Sequence, residues 1–145
     1  MAVIWKKGQR LFTVAAWLML LMAIFHTIVQ FGPSSGAEET SVVNAMRGFH
    51  IDLGLGMKPS WYDIFADQSF TFSILVAALA VINLVVASAP ESSPALMKKV
   101  TWLNVIWVIG FIGLAFAYRV PPPLISGIVI LVFLIASLIV NRRRA

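Results

Sequence analysis

The chain has 145 residues, of which 60% are hydrophobic and only 12% charged. Soluble domains carry about 25% charged residues, so this composition excludes an ordinary soluble domain and indicates a polytopic membrane protein. The chain has no cysteine, which excludes disulfides, thiolate metal ligands and cysteine nucleophiles. The net charge of +5 does not indicate a nucleic-acid partner, because the basic residues lie at the ends of apolar runs and are explained as topology signals.

Four apolar runs are long enough to cross a bilayer core of about 30 Å. They predict transmembrane helices over residues 11–31, 61–89, 99–118 and 122–140, with a cap over residues 32–60. The first run follows basic residues, as in a signal peptide, but it exceeds the roughly 7–15 apolar residues of a signal core. We therefore predict an all-α fold in a single membrane domain, residues 1–145: a four-transmembrane-helix bundle with an outer-side cap of loop and short helix.

Lysine and arginine indicate the orientation of this bundle. The N-terminus, the turn between the second and third spans, and the C-terminus contribute three, two and three basic residues, against three in the two other connections. By the positive-inside rule, both termini are cytoplasmic. We expect an integral protein of a bacterial cytoplasmic (inner) membrane, with membrane lipids as its first partners.

The second predicted span organises the chain, because its first third is acidic and the remainder is almost wholly apolar. Ser60 followed by Asp63 predicts a helix start, with a serine cap and an acid at the third helical position. Asp67 lies one turn further along, at the expected membrane interface. This helix is therefore expected to begin above the membrane and to cross it.

The first predicted span carries a polar stripe at helical spacing. Its members share one face and are Met19, Met22, His26 and Gln30. If the first two spans are antiparallel, His26 lies near the height of residues 69–73. If the stripe of Asp63, Asp67, Phe70 and Ile74 faces the first span, the Asp67 carboxylate can accept a hydrogen bond from a His26 ring nitrogen, directly or through water.

Five polar residues are candidates for binding a ligand near one leaflet: His26, Gln30, His50, Asp63 and Asp67. A histidine–aspartate pair beneath a cap suits general acid–base chemistry or orientation of a ligand. The alternative is that the histidine only joins two helices by a hydrogen bond. No catalytic residue and no cofactor is assigned, and the histidine and acid spacing does not predict a metal site.

Two asparagines are expected to pair for structural reasons. Asn83 and Asn104 lie about equally far from the short turn that joins the second and third spans. An unpaired amide in hydrocarbon is costly, and a mutual hydrogen bond removes that cost.

The connection between the first two spans is too long to be structureless in a small bundle. Residues 38–46 can form a short amphipathic helix, capped by Ser34 or Ser35, with an apolar face of Val42, Val43 and Met46. In residues 49–57, apolar residues alternate with small or polar ones. We interpret this segment as chain lying back on the bundle, not as a sheet, because no second strand is evident.

The chain resembles a family of uncharacterised bacterial four-helix membrane proteins. In that family a Gly-His-Thr near the end of the first helix precedes a Phe/Leu/Gly segment and a Trp-Asp-aromatic element. The matching residues are Phe25-His26-Thr27, Ala45-Met46-Arg47, residues 49–54 and Tyr62-Asp63-Ile64. The chain departs from the pattern with Phe25 in place of glycine and Asp67-Gln68 in place of Gly-Phe. The resemblance covers residues 20–90 and implies the four-helix architecture, which is also similar to that of DoxX-like membrane proteins.

Two classes of function fit these observations. The first is a non-catalytic accessory or structural subunit that packs against other membrane protein subunits, since the last two spans are almost wholly apolar. The second is a quinone- or lipid-binding protein or enzyme that uses the histidine–aspartate cluster beneath the cap. Whether any reaction is catalysed is left open by the sequence.

Overall fold

A computed structural model describes residues 7–30, 32, 36–89 and 93–142. These residues form five helices and no strand: α1 (Lys7–Gln30), α2 (Ala37–Gly48), α3 (Trp61–Ser88), α4 (Pro94–Ala117) and α5 (Pro121–Arg142). Helices α1, α3, α4 and α5 are long and apolar enough to cross a membrane. The predicted all-α four-helix bundle with a short helix in its first connection is therefore confirmed.

The start of α4 differs most from the predicted boundary. The helix begins at Pro94, five residues before the expected Lys99. The Ser93 hydroxyl accepts a hydrogen bond from the Leu96 N–H at 3.1 Å, and Pro94 at the first helical position loses no helical hydrogen bond. Residues 90–92 of the short turn predicted between the second and third spans lie outside the described residues.

The end of α4 is closed by a left-handed residue. Arg119 has φ +55°, its N–H donates to the Phe116 carbonyl at 3.1 Å, and the Val120 N–H donates to the Ala115 carbonyl at 2.9 Å. This pair of bonds is a Schellman motif, which satisfies carbonyls that the last helical turn leaves free. Helix α5 then begins at Pro121, because proline suits the first helical turn.

The chain divides into two compact units, Met1–Met22 with Ala77–Ala145, and Ala23–Val76. The core of the first unit contains Phe12, Met19, Val105, Val108, Ile130 and Leu134, each at most 2% exposed. Here α4 packs on α5, and a Cβ built on Gly127 would lie 2.8 Å from Ile112 Cγ1. Glycine at this position allows the close approach.

The second unit contains α2 and a hairpin, residues 49–61, between α2 and α3. The expectation that residues 49–57 form no sheet is confirmed, because no strand is formed in the described residues. The expectation that this segment has no pairing partner is wrong. Residues 49–53 form the first arm of the hairpin and residues 57–61 form the returning arm. His50 in the first arm forms an isolated antiparallel bridge with Ser60 in the returning arm. The pairing is hard to predict from the sequence, because the returning arm contains Pro59, which has no backbone N–H to donate to a neighbouring strand.

Helix α2 confirms the expected short helix but not its cap. Gly36 precedes its first turn and provides no side-chain hydrogen bond, while Ser34 and Ser35 lie outside the described residues. The Gly36 carbonyl instead accepts from the Thr40 N–H at 3.1 Å and from the Thr40 hydroxyl at 3.0 Å. No residue of α2 is buried.

Candidate functional site

His26 lies in the last two turns of α1, half-buried. Its ring meets the ring of Phe72 on α3 edge to face, with centroids 5.2 Å apart and an interplanar angle of 72°. Phe72 lies within residues 69–73, so the predicted depth of His26 relative to α3 is confirmed. Of the buried side-chain nitrogen and oxygen atoms in the described part of the chain, only His26 Nε2 has no hydrogen-bond partner.

A direct hydrogen bond from this nitrogen to Asp67 is therefore not formed. Asp67 is exposed, and it precedes Phe72 by five residues, or about 140° around an α-helix. Ile74, on the predicted inward stripe, is also exposed. The face of α3 that meets His26 is thus not the face that carries the carboxylates.

The buried face of α3 follows a different set of positions. Its members recur at helical spacing and are Ser73, Val76, Ala80, Asn83 and Ala87. The sequence contained the signal for this face, because steps of three or four residues in either direction from Asn83 reach each of the others. The acids instead mark a stripe on which Asp63, Asp67 and Ile74 are exposed.

Asp63 is engaged in closing the start of α3. One of its carboxylate oxygens, Oδ2, accepts from the Ser60 N–H at 2.8 Å and from the Ser60 hydroxyl at 2.7 Å. The Ser60 hydroxyl in turn accepts from the Asp63 N–H at 3.2 Å. This reciprocal arrangement is a capping box with aspartate as its acid, so the predicted helix start is confirmed.

The remaining two candidates are not assembled around His26 by any observed contact. His50 is exposed, and its Nδ1 lies 3.3 Å from the Gly48 carbonyl oxygen. Gln30 is the last residue of α1 and is half-buried. The structure therefore brings His26 to an aromatic ring rather than to a carboxylate, and the five candidates do not form one acid–base cluster.

The two asparagines form the polar contact that the sequence predicts. The Asn83 amide donates to Asn104 Oδ1 at 2.8 Å, and the Asn104 amide donates to Asn83 Oδ1 at 3.0 Å. Asn104 also donates to the Val100 carbonyl at 2.8 Å, and Asn83 lies 3.7 Å from the Met19 sulfur. Both residues are at most 2% exposed, so the amides satisfy each other inside the core.

One buried contact was missed from the sequence. The Ser137 hydroxyl on α5 donates to the Gly8 carbonyl on α1 at 2.6 Å, and Ser137 is fully buried. A lone serine in an apolar helix gives little signal, because its hydroxyl is often satisfied by its own helix backbone.

The arrangement offers one hydrogen-bonding nitrogen, His26 Nε2, at the depth of Phe72 on α3. A neutral imidazole nitrogen donates when protonated and accepts when not. The residues that the structure describes contain no group of three or more histidine, cysteine, aspartate or glutamate side chains that could hold a metal ion.

Comparison of the chain with family models, with curated proteins and with solved structures finds no match.

Proposed function

We propose that this protein is a non-catalytic accessory subunit of a larger membrane complex, and that α2 is the element that contacts its partner. The proposal includes a bacterial cytoplasmic membrane with both termini on the cytoplasmic side, as the distribution of lysine and arginine favours. It also includes the resemblance to the bacterial four-helix family, from which no activity is carried over.

The observation that carries the proposal is that α2 buries none of its residues. An isolated helix of 12 residues is marginal in water, and most helices in proteins are stabilised by packing of an apolar face. Val42 is 60% exposed, and Val43 and Met46 lie on the same side of the helix at helical spacing. Such a stripe on a short helix outside the spans favours a protein partner.

The charges of α2 favour a protein partner over a membrane surface. Glu38 and Glu39 occupy its first turn and Arg47 its last, so the helix has no excess of basic residues. Binding of a helix to a membrane surface depends on its buried apolar area and on attraction to anionic lipids, and α2 has a stripe of only three apolar residues and one more acidic than basic residue. Arg47 lies over the Tyr62 ring, with its guanidinium carbon 4.7 Å from the centroid, a contact that ties the end of α2 to the start of α3.

The polar side chains that suggested chemistry support the same proposal. Asp63 is engaged in the capping box, and the two asparagines hydrogen-bond each other. Groups held in structural contacts are less suited to meeting a substrate than groups that point into an open site.

Two single substitutions on opposite faces of α2 test the proposal. Val42→Asp places a carboxylate in the apolar stripe, whereas Asn44→Asp places one about 200° away around the helix. The mass of the complex extracted from native membranes in lipid nanodiscs is measured for each variant. We expect the mass of the wild type and of Asn44→Asp to include a second polypeptide at fixed stoichiometry. The mass of Val42→Asp should correspond to this chain alone.

The proposal is overturned if the wild-type protein runs without a second polypeptide. It is equally overturned if Val42→Asp retains a partner at the wild-type stoichiometry.

One observation favours a second function, the binding of a quinone or lipid. His26 Nε2 is buried without a hydrogen-bond partner, and a buried polar atom of this kind is typically satisfied by water or a ligand. The carbonyl of a quinone can accept from this nitrogen in one tautomer, and a lipid hydroxyl can donate to it in the other.

Extraction of quinones and lipids from the purified protein tests this second function. His26→Phe should lose a molecule that the wild type retains at fixed stoichiometry, while His50→Phe, the same change at an exposed position, should retain it. Retention by both variants, or no bound molecule in the wild type, contradicts the second function.

A further inference from the structure

The hairpin has opposite chemistry on its two faces. Three backbone hydrogen bonds join its arms, from the N–H of Ile51 to the carbonyl of Pro59 (3.0 Å), from Leu53 to Met57 (3.1 Å) and from Trp61 to Phe49 (2.8 Å). Directly opposed residues in an antiparallel pair project to the same face, and the next pair projects to the other. The register therefore determines which side chains share a face.

The three hydrogen-bonded pairs form a wholly apolar face: Phe49 with Trp61, Ile51 with Pro59, and Leu53 with Met57. The intervening pairs form a polar face: His50 with Ser60, and Asp52 with Lys58. The ion pair between Asp52 Oδ2 and Lys58 Nζ, at 3.3 Å, agrees with this register. An exposed apolar face of this size marks a surface that contacts another protein or a membrane.

The tip of the hairpin presents a further apolar side chain. Gly54, Leu55 and Gly56 all have positive φ, at +77°, +55° and +79°. Leucine rarely adopts this conformation, and Leu55 is 96% exposed. The turn is held by the Gly54 N–H, which donates to Asp52 Oδ1 at 2.9 Å, and by the Met57 N–H, which donates to the Gly54 carbonyl at 3.0 Å.

The apolar face is continuous with α3, a helix able to cross a membrane. This continuity favours lipid as the contact of the face. Trp61 belongs to this face and is also the first residue of α3, one of the four helices able to cross a membrane. Tryptophan at the end of a span lies at the level of the lipid headgroups. The apolar face begins at this level, so it can bury its side chains at the boundary between headgroups and acyl chains. The polar face beside it carries two opposite charges that neutralise each other.

We propose that the hairpin lies in the bilayer interface at the end where α3 begins. Its apolar face and Leu55 contact the lipid acyl chains, and the Asp52–Lys58 pair stays among the headgroups. The hairpin then acts as a lateral anchor that fixes the tilt and depth of α3 independently of any protein partner. Its occupant is lipid, and the opposite charges of Asp52 and Lys58 make the binding independent of anionic headgroups.

Single cysteines report on this placement without background, because the chain has no cysteine of its own. Met57→Cys and Lys58→Cys are adjacent residues on opposite faces, and Leu55→Cys reports on the tip. Each full-length variant is labelled with an environment-sensitive fluorophore and reconstituted, without other proteins, in nanodiscs of phosphatidylcholine. Quenching by aqueous iodide and by lipids with a nitroxide on the acyl chain is then measured.

We expect the labels at positions 55 and 57 to emit further to the blue and to be quenched mainly by the nitroxide lipids, at a depth of roughly 5–10 Å. The label at position 58 should be quenched mainly by iodide. The same pattern is expected when phosphatidylglycerol is added.

The proposal is overturned if the labels at positions 55 and 57 are as accessible to iodide as the label at 58. It is also overturned if these labels become shielded only in native membranes, since a protein partner then covers the face, or only with phosphatidylglycerol, since charge rather than apolar contact then drives binding.

Discussion

The two compact units of this protein differ in one buried polar contact each. In Met1–Met22 with Ala77–Ala145, the Asn83 and Asn104 amides exchange two hydrogen bonds in a closely packed core. In Ala23–Val76, His26 Nε2 is buried beside an aromatic ring without a partner. A satisfied polar pair adds specificity to a helix bundle, whereas an unsatisfied polar atom lowers its stability unless it serves another purpose.

The largest expected effect comes from breaking the asparagine pair. Asn83→Leu leaves Asn104 Oδ1 buried without its donor, and we expect the free energy of unfolding to fall by about 1–3 kcal/mol. The measurement is reversible unfolding in mixed micelles. The double variant Asn83→Leu with Asn104→Leu should recover most of the loss, because neither amide is then left unpaired. Additive losses would mean that the two amides do not act as a pair.

The packing of the same unit is tested at its glycines. In Gly127→Ala the new Cβ meets Ile112 Cγ1 at 2.8 Å, and we expect a loss of about 1–2 kcal/mol in the same unfolding measurement. Gly113→Ala is the matched control, because no atom outside its own local backbone lies within 4 Å of its added Cβ. Alanine is favoured over glycine in a helix, so the control should be neutral or slightly more stable. Equal effects at both positions would contradict the close approach at Gly127.

In the second unit, the capping box should make a local contribution. Ser60→Ala removes the hydroxyl that bonds to Asp63, and we expect a loss of about 1 kcal/mol. Hydrogen exchange of the amides in the first turn of α3 is the suitable measurement, because the cap protects these groups. Ser60→Thr keeps the hydroxyl and should retain protection. Unchanged exchange in Ser60→Ala would show that the box does not hold the helix start.

The smallest effect on the free energy of unfolding is expected at His26. Its expected sign is opposite to that of the asparagine substitution in the first unit. His26→Leu removes a buried nitrogen that has no partner, so the protein should be unchanged or more stable by up to about 1 kcal/mol. Unfolding is measured as for Asn83→Leu, with Phe72→Leu as the control for loss of the ring contact. A loss as large as that of Asn83→Leu would mean that the histidine makes a stabilising bond.

The asparagine pair can be predicted from the sequence, whereas the predicted face of α3 around His26 is wrong. The pair could be predicted because a short turn fixes two neighbouring helices as antiparallel, and an amide in hydrocarbon has few alternatives. The face could not be assigned from the acids, because Asp63 and Asp67 lie near a helix start, where solvent or capping can satisfy them. Exposure of Asp67 is consistent with this reason.

The backbone of the hairpin also has one part that the sequence predicts and one part that it does not. Apolar alternation in residues 49–57 was visible, but pairing with the arm that contains Pro59 requires the positive φ values of Gly54, Leu55 and Gly56. Two of these residues are glycines, and a turn can be expected there. The leucine between them gives no local sign of a left-handed conformation.

The number of spans, the all-α class, the short helix α2 and the cap of α3 were determined by the sequence itself, because they depend on local properties: apolar length, capping side chains and helical spacing. The tertiary structure alone decided which face of α3 is buried, which buried side-chain nitrogen among the described residues lacks a partner, and that residues 49–61 close into an amphipathic hairpin. Those features depend on the rotation of one helix against another and on the backbone register across a turn. In a chain with apolar residues on every side of its helices, many rotations bury similar apolar area, and detailed packing selects among them.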